Sequence, residues 1–209
     1  GPLAGRVELR LGAHTPAQFA DASLVVLSPG VAAKKIAAAL APVASENVVA
    51  ELEFASWFLQ DPVLAITGTN GKTTTTTLVS QMLTDAGKTV FTGGNIGTPL
   101  CRFLLDGSRA DVVVLEVSSF QLQNCQSFAP KVGVLLNFAA NHLDYHADME
   151  EYLSAKLNLF ARMDASGLAI LPREMRAELE KRDFTRAKKI WFGPTDRLPA
   201  PHLPGAHNR

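Results

Sequence analysis

Gly68-Thr69-Asn70-Gly71-Lys72-Thr73-Thr74 brings together the residue types that hold phosphate. Glycines let backbone N–H groups approach phosphate oxygens, a helix N-terminus adds partial positive charge, Lys72 can reach the outer phosphates, and Thr73 can hold Mg²⁺. A plain strand-to-helix turn would need the glycines but has no use for Gly71-Lys72-Thr73 at the helix start. The loop is a shorter variant of the general phosphate-binding pattern: Ile66 stands where that pattern has its first glycine, and the earlier glycine is Gly68.

Other residues with chemistry to offer stand after apolar runs. Glu116 follows Val112-Val113-Val114-Leu115, a run that predicts burial on both faces, so its carboxylate needs a cation or several donors; an exposed edge position is the alternative. Gly93-Gly94-Asn95-Ile96-Gly97 permits close backbone approach to a ligand, with Asn95 as donor and acceptor, or is simply a loop. In Asn141-His142-Leu143-Asp144-Tyr145-His146, His142 can bind metal or orient a substrate, and His146 has the weaker case, since the two show no repeated ligand spacing. Lys156 falls near the centre of an apolar arc formed by Met149, Tyr152, Leu153, Ala155, Leu157, Leu159, Phe160 and Met163 at about 100° per residue. Its stem can snorkel to the edge. If it points inward instead, it tends to lose its proton, and a neutral amine can be modified or paired with an anion.

Alternating strands and helices must position these groups, which predicts an α/β fold with a mainly parallel sheet flanked by helices. Strands are expected at Val7–Leu11, Leu24–Leu27, Val48–Val49, Val63–Ile66, Val90–Thr92, Val112–Val117, Val132–Phe138, Gly167–Leu171 and Lys189–Phe192. Helices are expected over Val31–Leu40, Glu51–Leu59, 73–87, Met149–Met163 and Arg173–Arg182. The third opens on five threonines, weak helix formers, so its stability must come from packing of Leu78, Val79, Met82, Leu83 and Ala86. Gln60-Asp61-Pro62 predicts a domain boundary near residue 61. Ligands of such sheets bind beyond the carboxyl ends of the strands, where the residues above stand.

The 209 residues carry 20 basic and 20 acidic side chains, so net charge gives no case for nucleic acid or an anionic membrane as partner. Lysines and arginines crowd only at Lys181–Lys189, which reads as a solvated surface. Cys101 and Cys125 lack zinc or redox spacing and suit a reducing cytoplasm. No apolar run is long enough to span a membrane.

Taken together, Ser28-Pro29-Gly30, Gly68-Thr69-Asn70-Gly71-Lys72-Thr73, Gly94-Asn95-Ile96-Gly97, Glu116-Val117-Ser118-Ser119-Phe120-Gln121-Leu122, Asn141-His142-Leu143-Asp144, Tyr152 with Ala155-Lys156, and His207-Asn208 resemble the Mur ligases of bacterial cell-wall synthesis, most closely the branch that adds D-glutamate. The resemblance covers nearly the whole chain. It implies an ATP- and Mg²⁺-dependent amide ligase that activates the carboxylate of UDP-N-acetylmuramoyl-L-alanine as an acyl phosphate, which the amine of D-glutamate then attacks. It implies that Gly68, Thr69, Asn70, Gly71, Lys72, Thr73 and Thr74 hold ATP and that Asn208 lies near adenine. Thr73 and Glu116 would bind one Mg²⁺, while His142 and a carbamylated Lys156 bind a second. Lys72, His142 and Lys156 would be catalytic, and Asn95, Ser118 and Gln121 would contact the UDP substrate.

The same resemblance divides the chain into part of a Rossmann-like UDP-substrate domain at 1–61 and an ATP-binding central domain, itself incomplete at its C-terminus, at 62–209. It places the D-glutamate-binding domain outside the chain. A monomer with little or no ligase activity by itself is the expectation. A different P-loop enzyme, such as a kinase or GTPase, is disfavoured by the lack of an Asn-Lys-x-Asp motif and by Glu116 in place of aspartate. Another Mur-type or folylpolyglutamate-synthase-like ligase, or a nucleotide-binding remnant without catalysis, are the remaining alternatives.

Overall fold

Runs of β-branched residues bounded by glycine or polar turns build the sheets in this computed structural model, which describes residues 5–141 and 145–193. Six strands form one wholly parallel sheet: β3 (Val63–Thr67), β4 (Val90–Gly94), β5 (Val112–Glu116), β6 (Val132–Leu135), β7 (Leu168–Pro172) and β8 (Lys188–Phe192), in the order β4-β5-β3-β6-β7-β8. The central strands β3 and β5 are apolar on both faces, as parallel strands covered on both sides must be. A smaller parallel pair, β1 (Val25–Leu27) with β2 (Val48–Ala50), precedes it. Helices α1 (Ala37–Leu40), α2 (Glu51–Ser56), α3 (Lys72–Asp85), α4 (Leu100–Leu105), α5 (Ser119–Leu122), α6 (Met149–Leu157) and α7 (Arg176–Leu179) connect the strands. The chain moves outward from β3 to β4, returns to β5, and crosses β3 to reach β6. The carboxyl ends of β3, β5 and β6 therefore lie side by side.

Several expected elements are corrected. Val7, Leu9 and Leu11 alternate as a strand would, yet no ladder partner takes them among the described residues and all three are exposed, Leu11 by 83%. The stretch before α1 is a 3₁₀ helix at Ala33–Ile36 rather than continuous α-helix. The long helix expected to Met163 ends at Leu157, where Asn158 caps it and donates from Nδ2 to the Leu122 carbonyl, 3.1 Å away; tight turns then carry Leu159, Phe160 and Met163 into the core. The final helix shortens to a 3₁₀ turn, Arg173–Met175, followed by α7. Helices α4 and α5 had no counterpart in the sequence reading. On α3, Val79 and Leu83 pack on Ile66, Val114 and Val134, whereas Leu78 and Met82 face outward, Met82 with 70% exposure; Thr76 and Ser80 take the buried positions instead.

Leu52 and Ala55 of α2 pack in the same cluster as Leu100, Val113 and Leu122, so α2 is docked on the main core. Glu53 fastens that packing. Its buried carboxylate accepts hydrogen bonds from the backbone N–H of Gln126 (3.0 Å), Ser127 (2.8 Å) and Phe128 (3.0 Å), from Trp57 Nε1 (2.9 Å), and from the Ser127 hydroxyl. Burial by itself would raise the Glu53 pKa. The bonds from Ser127, Trp57, Gln126 and Phe128 outweigh it and bring the pKa below the ordinary carboxylate value. A depressed carboxylate pKa adds stability above the unfolded value that is lost as pH falls through the folded one. Glu53→Ala strands these donors in the interior and is expected to cost about 3 kcal/mol of unfolding free energy at neutral pH. Urea denaturation checks this; a loss under about 0.5 kcal/mol, the usual surface-substitution range, would contradict it.

Candidate nucleotide site

The turn between β3 and α3 is shaped by Gly71, the N-cap of α3, at φ 78°, a left-handed conformation that glycine adopts without strain. Thr75 N bonds to Gly71 O (3.0 Å), so the N–H groups at the very start of α3 are those that an α-helix leaves without an internal partner. The preceding part of the loop is pinned differently. Asn137, just beyond β6, accepts at Oδ1 from Thr69 N (3.1 Å) and Asn70 N (2.9 Å) and donates from Nδ2 to Asn70 O (3.0 Å). The Thr69 hydroxyl donates to Ala139 O (3.2 Å) and accepts from Ala139 N (3.0 Å). Thr69 and Asn70 thus spend their N–H groups on holding the loop, and the helix start is left to meet an anion. Asn137 escaped the sequence reading; its position directly after a strand was the available signal.

Lys72 extends back over the loop, with Nζ donating to Gly68 O (3.0 Å) and Thr69 O (2.9 Å). Burial lowers its pKa, and the Glu116 carboxylate partly restores it. The Thr73 hydroxyl donates to Glu116 Oε2 (2.7 Å), and Asn95 Nδ2 donates to Glu116 Oε1 (2.8 Å). Glu116 is buried as its apolar strand predicts. Gly94 makes that neighbourhood possible: at φ 95°, a Cβ there would stand 2.4 Å from Glu116 O, and the next residue, Asn95, donates its N–H to the same oxygen at 2.8 Å. The structure therefore gathers Lys72, Thr73, Asn95 and Glu116 at the ends of β3, β4 and β5. Thr74 lies in the first turn of α3.

Lys156 points inward, with 1% exposure. Its Nζ donates to Gly68 O (2.9 Å), the carbonyl that Lys72 also contacts, and sits 4.5 Å from the centre of the Tyr152 ring. Burial, with the Lys72 charge as the second cause, brings its pKa down to about 7. No carboxylate answers it among the described hydrogen bonds and ion pairs, and snorkelling is excluded. Ser118 and Gln121 are buried at the start of α5, where they cap each other: the Ser118 N–H donates to Gln121 Oε1 (3.0 Å) and the Gln121 N–H donates to Ser118 Oγ (3.3 Å). His142 and Asn208 lie outside the described residues.

An oxygen-only pair made of a hydroxyl and a carboxylate fits Mg²⁺, which is commonly held by one or two carboxylates together with substrate phosphates. Among the described residues no group of three His, Cys, Asp or Glu side chains forms a fuller metal cage. No helix among them is long and apolar enough to cross a membrane.

The family profile described as Mur ligase middle domain matches residues 66–197. A UDP-N-acetylmuramoylalanine–D-glutamate ligase of Nitratidesulfovibrio vulgaris is 51% identical over 204 residues, covering 97% of this chain and 47% of that protein. One from Desulfovibrio desulfuricans is 47% identical over 204 residues, with 97% and 46% covered. Among solved structures, MurF ligase from Thermotoga maritima in complex with ADP shares the fold, with a TM-score of 0.54 at 19% identity over 84% of this chain and 49% of that one. The chain spans about half the length of the curated relatives it matches. A parallel sheet with its phosphate-type loop, a carboxylate on the neighbouring strand and a matching family profile lead to one conclusion: this chain belongs to the Mur ligase family.

Proposed function

We propose that this chain is the nucleotide-binding part, with a portion of the UDP-substrate-binding part, of a cytoplasmic, monomeric ligase that joins D-glutamate to UDP-N-acetylmuramoyl-L-alanine at the expense of ATP. The single observation that carries the reading is the meeting of Lys72, Thr73 and Glu116 beside the buried amine of Lys156. The relatives named above support D-glutamate as the amine substrate. The domain division at residue 61 and the D-glutamate-binding domain outside the chain belong to the same proposal.

In the reaction, a carboxylate oxygen of the muramoyl-alanine substrate attacks the γ-phosphorus of ATP, giving an acyl phosphate and ADP. The D-glutamate amine then attacks the acyl carbon, expelling phosphate and losing a proton as the amide forms. Positioning and charge neutralisation dominate phosphoryl transfer. Lys72 leaves the loop carbonyls for the outer phosphates, and the N–H groups from Gly71 to Thr74 meet phosphate oxygens at the helix start. Gly68, Thr69 and Asn70 set the loop's shape. Thr73 and Glu116 would hold Mg²⁺, which neutralises phosphate charge when bound. The neutral Lys156 amine is suited to react with CO₂, forming an N–C bond and releasing a proton, and its carbamate would join His142 at a second Mg²⁺. Asn95, Ser118 and Gln121 face the UDP substrate, and Asn208 serves the adenine side.

Calorimetry of this chain with ATP, with and without Mg²⁺, tests the nucleotide half of the reading: magnesium-dependent binding is expected, and its absence in folded protein refutes it. Incorporation of labelled D-glutamate, compared with L-alanine and with folate substrates, by a polypeptide of the relatives' full length tests the other half.

A further inference from the structure

Beside the phosphate loop, two buried side chains meet that the proposed chemistry leaves unused. His146 is 1% exposed and Ser119 is 2% exposed, and the imidazole Nε2 lies 2.9 Å from the Ser119 hydroxyl. The other ring nitrogen, Nδ1, is buried without a hydrogen-bond partner among the described residues; Glu151 Oε1 stands 3.8 Å away. Serine, imidazole and carboxylate in that order describe a hydrolytic triad. Ser119 is sealed from substrate, however, and 3.8 Å is too long for a hydrogen bond, so the arrangement makes no nucleophile. It makes a brace between two helices.

Ser119 is the first residue of α5, flanked by the mutually capped Ser118 and Gln121. With Gln121 Oε1 taken by Ser118, no described hydrogen bond uses the Gln121 Nε2, which is left as a donor for a ligand. On its other side, the His146 ring packs 5.1 Å from the Tyr152 ring of α6. Tyr152 in turn supports Lys156 Nζ and places its hydroxyl 3.4 Å from Thr69 Oγ1 in the phosphate loop. One imidazole thus sets the spacing between the helix that carries Ser118 and Gln121 and the helix that carries Lys156. Burial pulls the ring's pKa below its ordinary value and so favours the uncharged form, in which one nitrogen can accept a hydrogen bond from the Ser119 hydroxyl.

We propose that His146 is a positioning residue for the UDP-substrate side of the reaction, acting through Ser119 to hold α5 in register with α6. The role rests on the ligase reading above. Four variants test it: His146→Phe, which keeps a flat ring but loses the bond; His146→Gln, whose amide can reach the Ser119 hydroxyl; Ser119→Ala; and the double variant His146→Phe with Ser119→Ala. In urea unfolding of this chain, the double variant is expected to lose clearly less than the sum of the two single losses, as groups in direct contact do. In a polypeptide of the relatives' full length, His146→Phe is expected to raise KM for UDP-N-acetylmuramoyl-L-alanine about tenfold, the worth of one good hydrogen bond. KM for ATP should stay within about twofold, and His146→Gln should recover most of the loss. Additive unfolding losses overturn the brace whatever the enzyme does. An active enzyme whose His146→Phe form keeps its KM for the UDP substrate, or weakens ATP equally, overturns the positioning role. A wild-type polypeptide inert toward D-glutamate instead overturns the ligase reading and leaves the unfolding cycle to decide the brace.

Discussion

Lys72→Ala is expected to weaken magnesium-ATP binding by about a hundredfold or more, because a charge-assisted contact to phosphate is worth about 1.5–3 kcal/mol and Lys72 can make more than one. In the structure its ammonium rests on the carbonyls of Gly68 and Thr69, weak acceptors that a polyphosphate readily replaces. The loop does not depend on that contact for its shape, since Asn137 and Ala139 hold Thr69 and Asn70 independently. Stability should therefore change little while affinity collapses. Lys72→Arg should not restore binding fully, because a planar guanidinium does not replace a compact ammonium folded back over its own loop. Calorimetry on the three proteins, alongside their thermal melts, is the measurement. Unchanged affinity in a folded Lys72→Ala protein would remove the phosphate-cradle reading altogether.

What the sequence disclosed divides along a physical line. The glycine turn between β3 and α3 was legible because strand, turn and helix start are contiguous, and the inward Lys156 was legible because a helix repeats its faces at fixed angles. Glu116 was legible because an unbroken apolar run implies a strand covered on both faces. Contacts between distant segments were not. Asn137 meets a loop 67 and 68 residues away, and Glu53 meets a turn 73 to 75 residues away; neither asparagine nor glutamate advertises such a partner. Ser118 and Gln121 were singled out for a ligand, and their reciprocal capping of α5 was missed because a helix of four residues leaves no periodic signal. The outward turn of Leu78 and Met82 has another cause. Thr73–Thr77 presents similar side chains on every face, so the pattern alone could not say that Thr76 and Ser80 would lie against the sheet.

Lys156 supplies the second large effect, and it can be read in this chain without turnover. With a pKa of about 7, most of its amine is unprotonated at pH 8, whereas an ordinary lysine, at 10.5, remains almost wholly charged. CO₂ adds only to the neutral amine, so in ¹³C-bicarbonate at pH 8 one carbamate signal is expected from the protein beyond that of its N-terminal amine, which is also largely neutral there. The Lys156 signal should fade as pH falls through about 7 and be absent from Lys156→Met. The same burial sets a stability signature. The unfolded chain binds the lysine proton up to about pH 10.5 while the folded chain releases it near 7, so between those values the unfolded state holds more protons and stability rises with pH. Without CO₂, Lys156→Met should be the more stable protein at pH 6 by an amount on the order of a few kcal/mol, less the lost bond to Gly68 O. That advantage should shrink steadily above pH 7. A gap between the two proteins that stays constant from pH 6 to 10, together with no carbamate signal beyond the N-terminal one, would mean that this amine keeps its proton, and CO₂ capture at α6 would have no chemical basis.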